Sequence, residues 1–298
     1  MYKPAYRKLY QSGKLTQIKN ILKEKMRNCT ICPNNCKINR LKNEKGLCNT
    51  GRYAKVASYS LHFGEETPIS YKKGSGTIFF SNCNLSCQYC QNYNISQLGR
   101  GNIMKPIDLA HIMIELQNRK CHNINLVSPT HVVFQIIEAL IPAIEMGLKI
   151  PIIYNTNSYD SLSTLKMLND IIDIYLPDLK YMNNLYAEKY SKIKNYTSVA
   201  CSAIKEMYKQ VGPLFEEDGT AKKGTLVRLL ILPNNISETK KSIDFLSHIS
   251  NRISLNIMDQ YHPVYNAKKY PNLNKKINKY SYFNLLKYAK KLNLNLVT

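Results

Sequence analysis

Residues 77–92 decide the fold, and they read Thr77-Ile78-Phe79-Phe80-Ser81-Asn82-Cys83-Asn84-Leu85-Ser86-Cys87-Gln88-Tyr89-Cys90-Gln91-Asn92. The first five residues form a largely apolar run, which predicts a β-strand over 77–81. This strand passes directly into three cysteines with the spacing C-x3-C-x2-C. In proteins built from alternating strands and helices, functional sites lie on the loops that follow the strands. The cysteine motif is therefore expected to form a site at the end of the first strand.

Strand-like apolar runs alternate with amphipathic helical patterns through the rest of the chain. The predicted strands are 77–81, 125–128, 151–155, 172–176, 226–232 and 253–258. The predicted helices are 107–119, 131–146, 162–169, 198–211, 237–249 and 282–292. This alternation is typical of a parallel sheet, and six β/α units are too few to close an eight-stranded barrel. The sequence therefore predicts an α/β fold over residues 76–298, with a parallel sheet that is either doubly wound or curled into a partial (β/α)6 barrel, and we expect the partial barrel.

The three clustered cysteines are candidate metal ligands. Cys83, Cys87 and Cys90 suit an iron–sulfur cluster or a soft metal ion, because both prefer thiolate ligands. Three ligands leave one coordination position open, which a catalytic centre needs, whereas a structural zinc site takes four ligands. On spacing alone, a zinc site completed by a distant histidine remains the structural alternative.

The cysteine spacing, the aromatic Tyr89 before the third cysteine and the position after the first strand resemble the radical S-adenosylmethionine (SAM) superfamily. The resemblance extends over residues 76–262 and is closer to the pyruvate formate-lyase activating enzyme and its uncharacterised relatives. It implies that Cys83, Cys87 and Cys90 hold a [4Fe-4S] cluster whose fourth iron is chelated by SAM, and that Tyr89 packs near the adenine. It also implies an oxidoreductase, in which the reduced cluster cleaves SAM to methionine and a 5′-deoxyadenosyl radical that abstracts a hydrogen.

Two strand ends match the family only in part. At the second strand end the family has a Gly-Gly-Glu-Pro-type turn, whereas this chain offers Ser128 and Thr130 as expected acceptors for the SAM amino group. The third strand end is similar to the family's Asp-Thr-Asn-Gly, but Asn155 replaces the acid. The resemblance implies that the neighbouring Thr156 contacts SAM.

Three further strand ends match more directly. Asp178 and Lys180 fit the family's Asp-x-Lys, which lies near the charged end of SAM. Arg228 fits an arginine on the fifth strand that approaches SAM, and His262 fits a Pro-Tyr-His segment whose histidine lines the site. Each residue alone has an ordinary structural reading, such as a helix cap or a buried ion pair. Their occurrence at successive strand ends favours the functional interpretation.

A second cluster of four cysteines precedes the first strand: Cys29, Cys32, Cys36 and Cys48. Four thiolates close a tetrahedral site for zinc or bind a second iron–sulfur cluster. The surrounding segment has many loop signals and little apolar surface, so a bound metal is expected to supply its core. We predict a basic segment and a small Cys-rich metal-binding module within residues 1–75. His62, Glu65 and Glu66 are interpreted as a polar turn.

The chain of 298 residues has 42 Lys and Arg against 20 Asp and Glu, a formal charge of +22. The lysines are scattered, so the charge by itself predicts no nucleic-acid partner. No apolar stretch is long enough to predict a membrane span, and the first residues lack the apolar region of a secretory signal, so we expect a cytoplasmic protein. The expected partners are SAM, an external electron donor and, by resemblance, a protein substrate with a glycine Cα–H bond.

A zinc-stabilised basic protein that binds or modifies RNA is the rival hypothesis. In that case both cysteine clusters would be structural. The open three-cysteine site and the matching strand ends favour the radical SAM enzyme.

Overall fold

The structure is a computed structural model that describes residues 2–297. Its strands are β1 (Ala54–His62), β2 (Ser75–Phe80), β3 (Asn102–Met104), β4 (Ile124–Val127), β5 (Ile152–Thr156), β6 (Ile174–Pro177), β7 (Phe215–Glu217), β8 (Thr220–Leu230), β9 (Ser254–Met258) and β10 (Asn295–Leu296). Its helices are α1 (Tyr6–Gln11), α2 (Lys14–Arg27), α3 (Thr67–Ser70), α4 (Tyr93–Ser96), α5 (Pro106–Asn118), α6 (Val133–Glu145), α7 (Leu162–Met167), α8 (Asn184–Ser191), α9 (Tyr196–Val211), α10 (Thr239–Ile249) and α11 (Lys279–Lys291). Among these described helices, none has the length and apolar character needed to cross a bilayer.

The strands form one open sheet in the order β10-β9-β8-β6-β5-β4-β2-β1-β3, with β7 paired to β8. Strands β2, β4, β5, β6, β8 and β9 are the predicted strands, and each pairs in parallel with its neighbour. Helices α5, α6, α7, α9 and α10 lie in the crossovers between them. The prediction of an α/β fold with a mostly parallel sheet is confirmed, and the sheet is consistent with a partial barrel.

The edge formed by β1 and β3 was not expected from the sequence. Strand β1 pairs antiparallel with β2 on one side and with β3 on the other. Its residues are buried or half-buried except Ser58 and Ser60, which are exposed. Antiparallel strands with one solvated face lack the continuous apolar run of buried parallel strands, which explains why the pattern was missed.

The N-terminal helices pack on the barrel and do not form a separate body. Leu15, Leu22 and Met26 are fully buried, and they share one apolar cluster with Ile78 of β2 and Ile137 of α6. The predicted boundary at residue 75 is therefore not a break in packing. The expectation that a bound metal supplies the core of residues 29–75 stays a prediction, and Ile31, Ala54 and Val56 of this segment also join the apolar cluster.

Helix α3 lies against the inner face of the sheet. Ile69 packs with Ile153 of β5, Leu176 of β6 and Leu226 of β8, all buried. The helix follows β1 directly, so the chain enters the barrel interior after leaving the edge strand. Glu65 and Glu66, which precede the helix, are carried inside with it.

Helix α2 provides a test of this packing. Replacing the fully buried Leu22 by Ala should lower the free energy of unfolding by about 2–4 kcal/mol, because a cavity remains between α2 and the barrel. The neighbouring Ile21 is 52% exposed, and Ile21→Ala should cost below about 1 kcal/mol. Denaturant unfolding followed by circular dichroism measures both. Equal, small losses for the two variants would show that α2 is not docked as described.

Candidate functional site

A cavity of about 490 Å³ opens at the carboxyl ends of the parallel strands. Its volume lies in the range typical of small-molecule and cofactor sites. Each of the six parallel strands or its end contributes to the wall, through Phe80, Val127, Thr156, Asp178, Leu230 and Met258. The cavity thus occupies the edge of the sheet where β/α folds bind ligands.

The three cysteines of the first strand's loop line this cavity together. Cys83 Sγ accepts hydrogen bonds from the Leu85 amide at 3.4 Å and from Asn157 Nδ2 at 3.5 Å. Cys90 Sγ lies 3.1 Å from the Ser96 hydroxyl. Hydrogen bonds to sulfur stabilise thiolates, so these surroundings fit the ligand set of a thiolate-bound cluster.

Cys87 lies beside a buried cation. Ser191 Oγ donates to Cys87 Sγ at 3.0 Å, and Lys180 Nζ donates to Asp178 Oδ2 at 2.7 Å. Burial raises the pKa of Cys87 to about 11, and the Lys180 charge partly opposes this rise. Burial disfavours charged Lys180, but Asp178 and Cys87 together hold the pKa of Lys180 above its ordinary value. Lys180 is therefore a cation that favours thiolate at this site.

The Cys83 and Cys87 thiols are protonated at neutral pH, because burial raises both pKa values. Burial is also the main cause that raises the pKa of Cys83, to about 12. A metal or cluster must displace these protons when it binds. In residues 2–297 no group of three or more His, Cys, Asp or Glu side chains is arranged to hold a single metal ion. The fit of the cysteine loop to a cluster therefore rests on its donor set and hydrogen bonds.

Tyr89 forms part of the apolar wall, where the sequence placed it. Its ring is buried and also lines the cavity. It makes edge-to-face contacts with Tyr181 and Tyr261, with ring centroids 6.4 and 6.1 Å apart. These neighbours fix the plane of the ring, as is needed for packing against a flat ligand group.

The residues at the ends of β4 and β5 are only partly where the sequence placed them. Ser128 and Thr156 line the cavity. Thr130 does not: it is buried behind Thr156, with the two hydroxyl oxygens 3.0 Å apart. The expectation that Thr130 contacts a ligand is corrected, because the chain turns away from the cavity in a 3-10 turn at this residue. Thr156 in turn donates to Asp160 Oδ2 at 2.6 Å.

Arg228 lines the cavity but is held by two carboxylates. Its Nε donates to Glu66 Oε1 at 2.7 Å, and its Nη2 donates to both Glu65 and Glu66. Asn256 Nδ2 donates to Glu66 at 2.8 Å, and Asn125 Nδ2 donates to Glu65 at 2.9 Å. The Arg228 charge is therefore engaged within the protein, which alters the expectation that it approaches SAM directly.

Sequence reasoning missed the role of the segment before α3. His62, Glu65 and Glu66 line the cavity, although they were interpreted as a polar turn. A signal existed, because Arg228 in an apolar strand requires a buried partner of opposite charge. Glu65 and Glu66 are the last acidic residues before the first parallel strand. No rule of sequence spacing connects them with Arg228, so the pairing could not be predicted.

His262 lies at the surface and not in the cavity wall. Its Nδ1 lies 3.4 Å from Nε2 of Gln91, which itself lines the cavity mouth. The preceding Tyr261 points inward and donates to the Leu273 carbonyl at 2.6 Å. Because Tyr261 takes the inward position, the next side chain is directed to solvent, and the expectation for His262 is corrected.

The N-terminal cysteines lie between α2 and β1. Cys29, Cys32 and Cys48 are buried and Cys36 is half-buried. The Cys32 thiol interacts electrostatically with the other three, so the four form one group. The residues present do not by themselves establish a metal-binding module.

The fold and the site define a β/α protein with a three-cysteine loop at the carboxyl ends of its parallel strands. Comparison with known sequences points to a family with this arrangement. Residues 77–246 match the family model of the radical SAM superfamily. An uncharacterized protein of Methanocaldococcus jannaschii is 32% identical over 290 residues, which cover 93% of this chain and 78% of the relative. The chain belongs to the radical SAM superfamily.

Solved structures share the fold at low sequence identity. SuiB of Streptococcus suis is 16% identical with a TM-score of 0.50, and the match covers 72% of this chain and 46% of SuiB. The protein anSMEcpe, solved with bound AdoMet (SAM) and the Cp18Cys peptide, is 14% identical with a TM-score of 0.50, and the match covers 72% of this chain and 60% of anSMEcpe. This chain thus spans about half the length of these solved chains.

The buried ion pair gives a pH-dependent prediction. Burial alone would raise the pKa of Glu66, but hydrogen bonds and charge from Arg228 outweigh it and hold the pKa below the ordinary 4.5. Glu66→Gln should therefore lower the free energy of unfolding by about 1–3 kcal/mol at pH 7. The difference from the wild type should shrink as the pH falls below 4.5, because the unfolded chain then binds a proton at Glu66 that the folded carboxylate binds only at lower pH.

Denaturant midpoints measured between pH 3 and 8 check this prediction. Glu24→Gln is the matched control, because Glu24 pairs with Arg27 at the surface and is 66% exposed. It should change stability little at every pH. A Glu66→Gln loss that is absent at pH 7, or constant across the range, would contradict the described ion pair.

Proposed function

We propose that this protein reductively cleaves SAM at a [4Fe-4S] cluster held by Cys83, Cys87 and Cys90 and uses the resulting radical to abstract a hydrogen atom. Membership of the superfamily supports the SAM chemistry. The observation that carries the assignment of residues is the convergence of these three thiols on one cavity at the strand ends. Three protein ligands leave a coordination position for SAM.

The cofactors supply the electron transfer and the radical, and the chain's own residues hold them. Lys180 supplies a positive charge beside Cys87, which favours the thiolate form that a metal requires. Hydrogen bonds from Leu85, Asn157 and Ser191 serve the same purpose at the sulfurs. We assign to these residues the role of stabilising the anionic ligand loop.

The charge of the cavity suits a SAM sulfonium. Three carboxylates line it, from Glu65, Glu66 and Asp178, against the two cations Lys180 and Arg228. The thiolates of a bound cluster would make the wall still more negative. Opposite charge raises the local concentration and affinity of a cationic ligand in an enclosed cleft.

We assign SAM contacts to cavity residues at the strand ends. Ser128, Thr156 and Asp178 offer oxygen acceptors suited to the SAM amino group, and Lys180 offers a donor suited to its carboxylate. Tyr89 offers an apolar ring held in place, suited to the adenine. Arg228 acts in this proposal by fixing Glu65 and Glu66.

We propose a polypeptide as the substrate class, with activation of a glycyl-radical partner as the particular reaction that the sequence resemblance favours. The cavity reaches the surface at Gln91 and Gln260, both exposed, so an extended segment has access to it. The fold neighbour anSMEcpe was solved with a bound peptide. The external electron donor and the cytoplasmic location belong to the same proposal. The rival RNA-binding function gains no support from the comparisons.

Replacing single ligands tests the proposal. Cys83→Ala, Cys87→Ala and Cys90→Ala should each abolish formation of 5′-deoxyadenosine from SAM and dithionite, because the cluster loses a ligand. Chromatography of the products, with iron and sulfide analysis of each anaerobically prepared variant, provides the measurement. Cys201→Ala is the matched control, because this cysteine is half-buried on α9 beside Met182, and it should cleave SAM like the wild type. If any one of the three ligand variants formed 5′-deoxyadenosine at the wild-type rate, the proposal would be wrong.

A further inference from the structure

A buried arginine without an acidic partner marks the N-terminal cysteine group. Arg40 is 1% exposed, and no carboxylate of residues 2–297 forms a salt bridge with it. Its Nη1 donates to the His131 carbonyl at 2.8 Å, and its Nε donates to the Gly51 carbonyl at 3.3 Å. Its Nη2 is buried and has no hydrogen-bond partner in the described part of the chain. A buried charge in this state is costly unless an anion compensates it.

The groups available to compensate Arg40 are cysteines. Arg40 Nη1 lies 3.9 Å from Cys29 Sγ, and the Arg40 charge also acts on Cys48. A neutral thiol cannot compensate a guanidinium charge, whereas a metal-bound thiolate can. A buried water could satisfy the free hydrogens of Nη2, but it could not neutralise the charge.

The backbone folds the cysteine segment around this point. The Cys29 amide donates to the Ile38 carbonyl at 2.9 Å, and the Lys37 amide donates to the Cys29 carbonyl at 3.1 Å. Gly46 brings the later part of the segment against the third cysteine, since a Cβ at this glycine would lie 2.7 Å from Cys36 Sγ. Any larger residue at this position would therefore collide with the cysteine.

We infer that Cys29, Cys32, Cys36 and Cys48 bind a second, anionic metal centre whose charge is balanced by the buried Arg40. Four thiolates leave a net negative charge on Zn²⁺ and on an oxidised [4Fe-4S] core alike. Either centre therefore supplies the anion that Arg40 lacks. A zinc ion would require the four thiols to move together, because in residues 2–297 they are not already arranged around a single ion. This inference concerns a site outside the cavity and stands independently of the proposed SAM chemistry.

The centre would also support the loop of the first cysteine motif. Asn34, between Cys32 and Cys36, donates through Nδ2 to the Asn84 carbonyl at 2.8 Å. Asn82 donates through Nδ2 to Thr50 Oγ1 at 3.1 Å. These bonds flank Cys83 on both sides, so a metal that orders residues 29–50 also holds the segment that positions Cys83.

Metal analysis of a variant without the cavity cysteines tests the inference while leaving the N-terminal segment intact. The Cys83→Ser/Cys87→Ser/Cys90→Ser protein should retain either about one zinc, or about four iron and four sulfide, per chain. The result distinguishes the two kinds of centre. Adding Cys32→Ser should remove this metal, whereas adding Cys201→Ser should not. A triple variant that is folded by circular dichroism but free of zinc and iron overturns the inference.

The role of Arg40 is tested separately by thermal unfolding. Cys32→Ser in the otherwise wild-type chain removes the anion and leaves Arg40 uncompensated. In an Arg40→Met background there is no such charge, so the same substitution should lower Tm by less, with a difference of about 5 °C or more. Equal losses of Tm in the two backgrounds would show that Arg40 does not balance the centre. In either case SAM cleavage by the wild type reports on the cavity cysteines independently.

Discussion

The ion pair between Arg228 and the adjacent carboxylates of Glu65 and Glu66 is the interaction on which the interior of the barrel depends. It joins residues separated by 162 positions in the chain. Because the carboxylates precede α3, their attachment to β8 holds α3 inside the sheet and leaves the cavity above it. The desolvation cost of three charges is offset by close pairing and by hydrogen bonds from Asn125 and Asn256.

The cavity cysteines and the N-terminal cysteines each lie next to a cationic side chain that is buried or half-buried. Lys180 stands beside the cavity thiols and is paired with Asp178, while Arg40 stands beside the N-terminal thiols and has no carboxylate partner within residues 2–297. In each case a positive charge favours thiolate over thiol. The difference is that, among the described residues, Arg40 has only sulfur to balance it, so the inferred N-terminal centre should be the more sensitive to loss of its metal.

The sequence was sufficient to predict the parallel part of the fold. The strands around Ile78, Leu126, Ile153 and Leu229 are buried on both faces, and continuous apolar runs mark such strands. Strand β1 was missed because its outer face is polar. The packing of α2 was missed because a helical period shows that a face is apolar but not what it packs against.

The candidate site was predictable where residues follow a strand directly. Cys83, Tyr89 and Asp178 line the cavity because parallel strands end at one edge, a rule that can be applied to sequence. His262 and Thr130 were misplaced because the direction of a side chain after a turn depends on local packing. Glu66 and Arg40 owe their importance to distant partners, which no local pattern reveals.

In the proposed reaction, the loop of Cys83, Cys87 and Cys90 holds a cluster with a position open to SAM. Electron paramagnetic resonance of the anaerobically reduced protein, recorded with and without SAM, tests it most directly. We expect a signal of a reduced [4Fe-4S] cluster whose g-values change when SAM is added, and the loss of this SAM-sensitive signal in the Cys83→Ser/Cys87→Ser/Cys90→Ser variant. A cluster signal that SAM leaves unchanged, or a SAM-sensitive signal that persists in the variant, would contradict the claim.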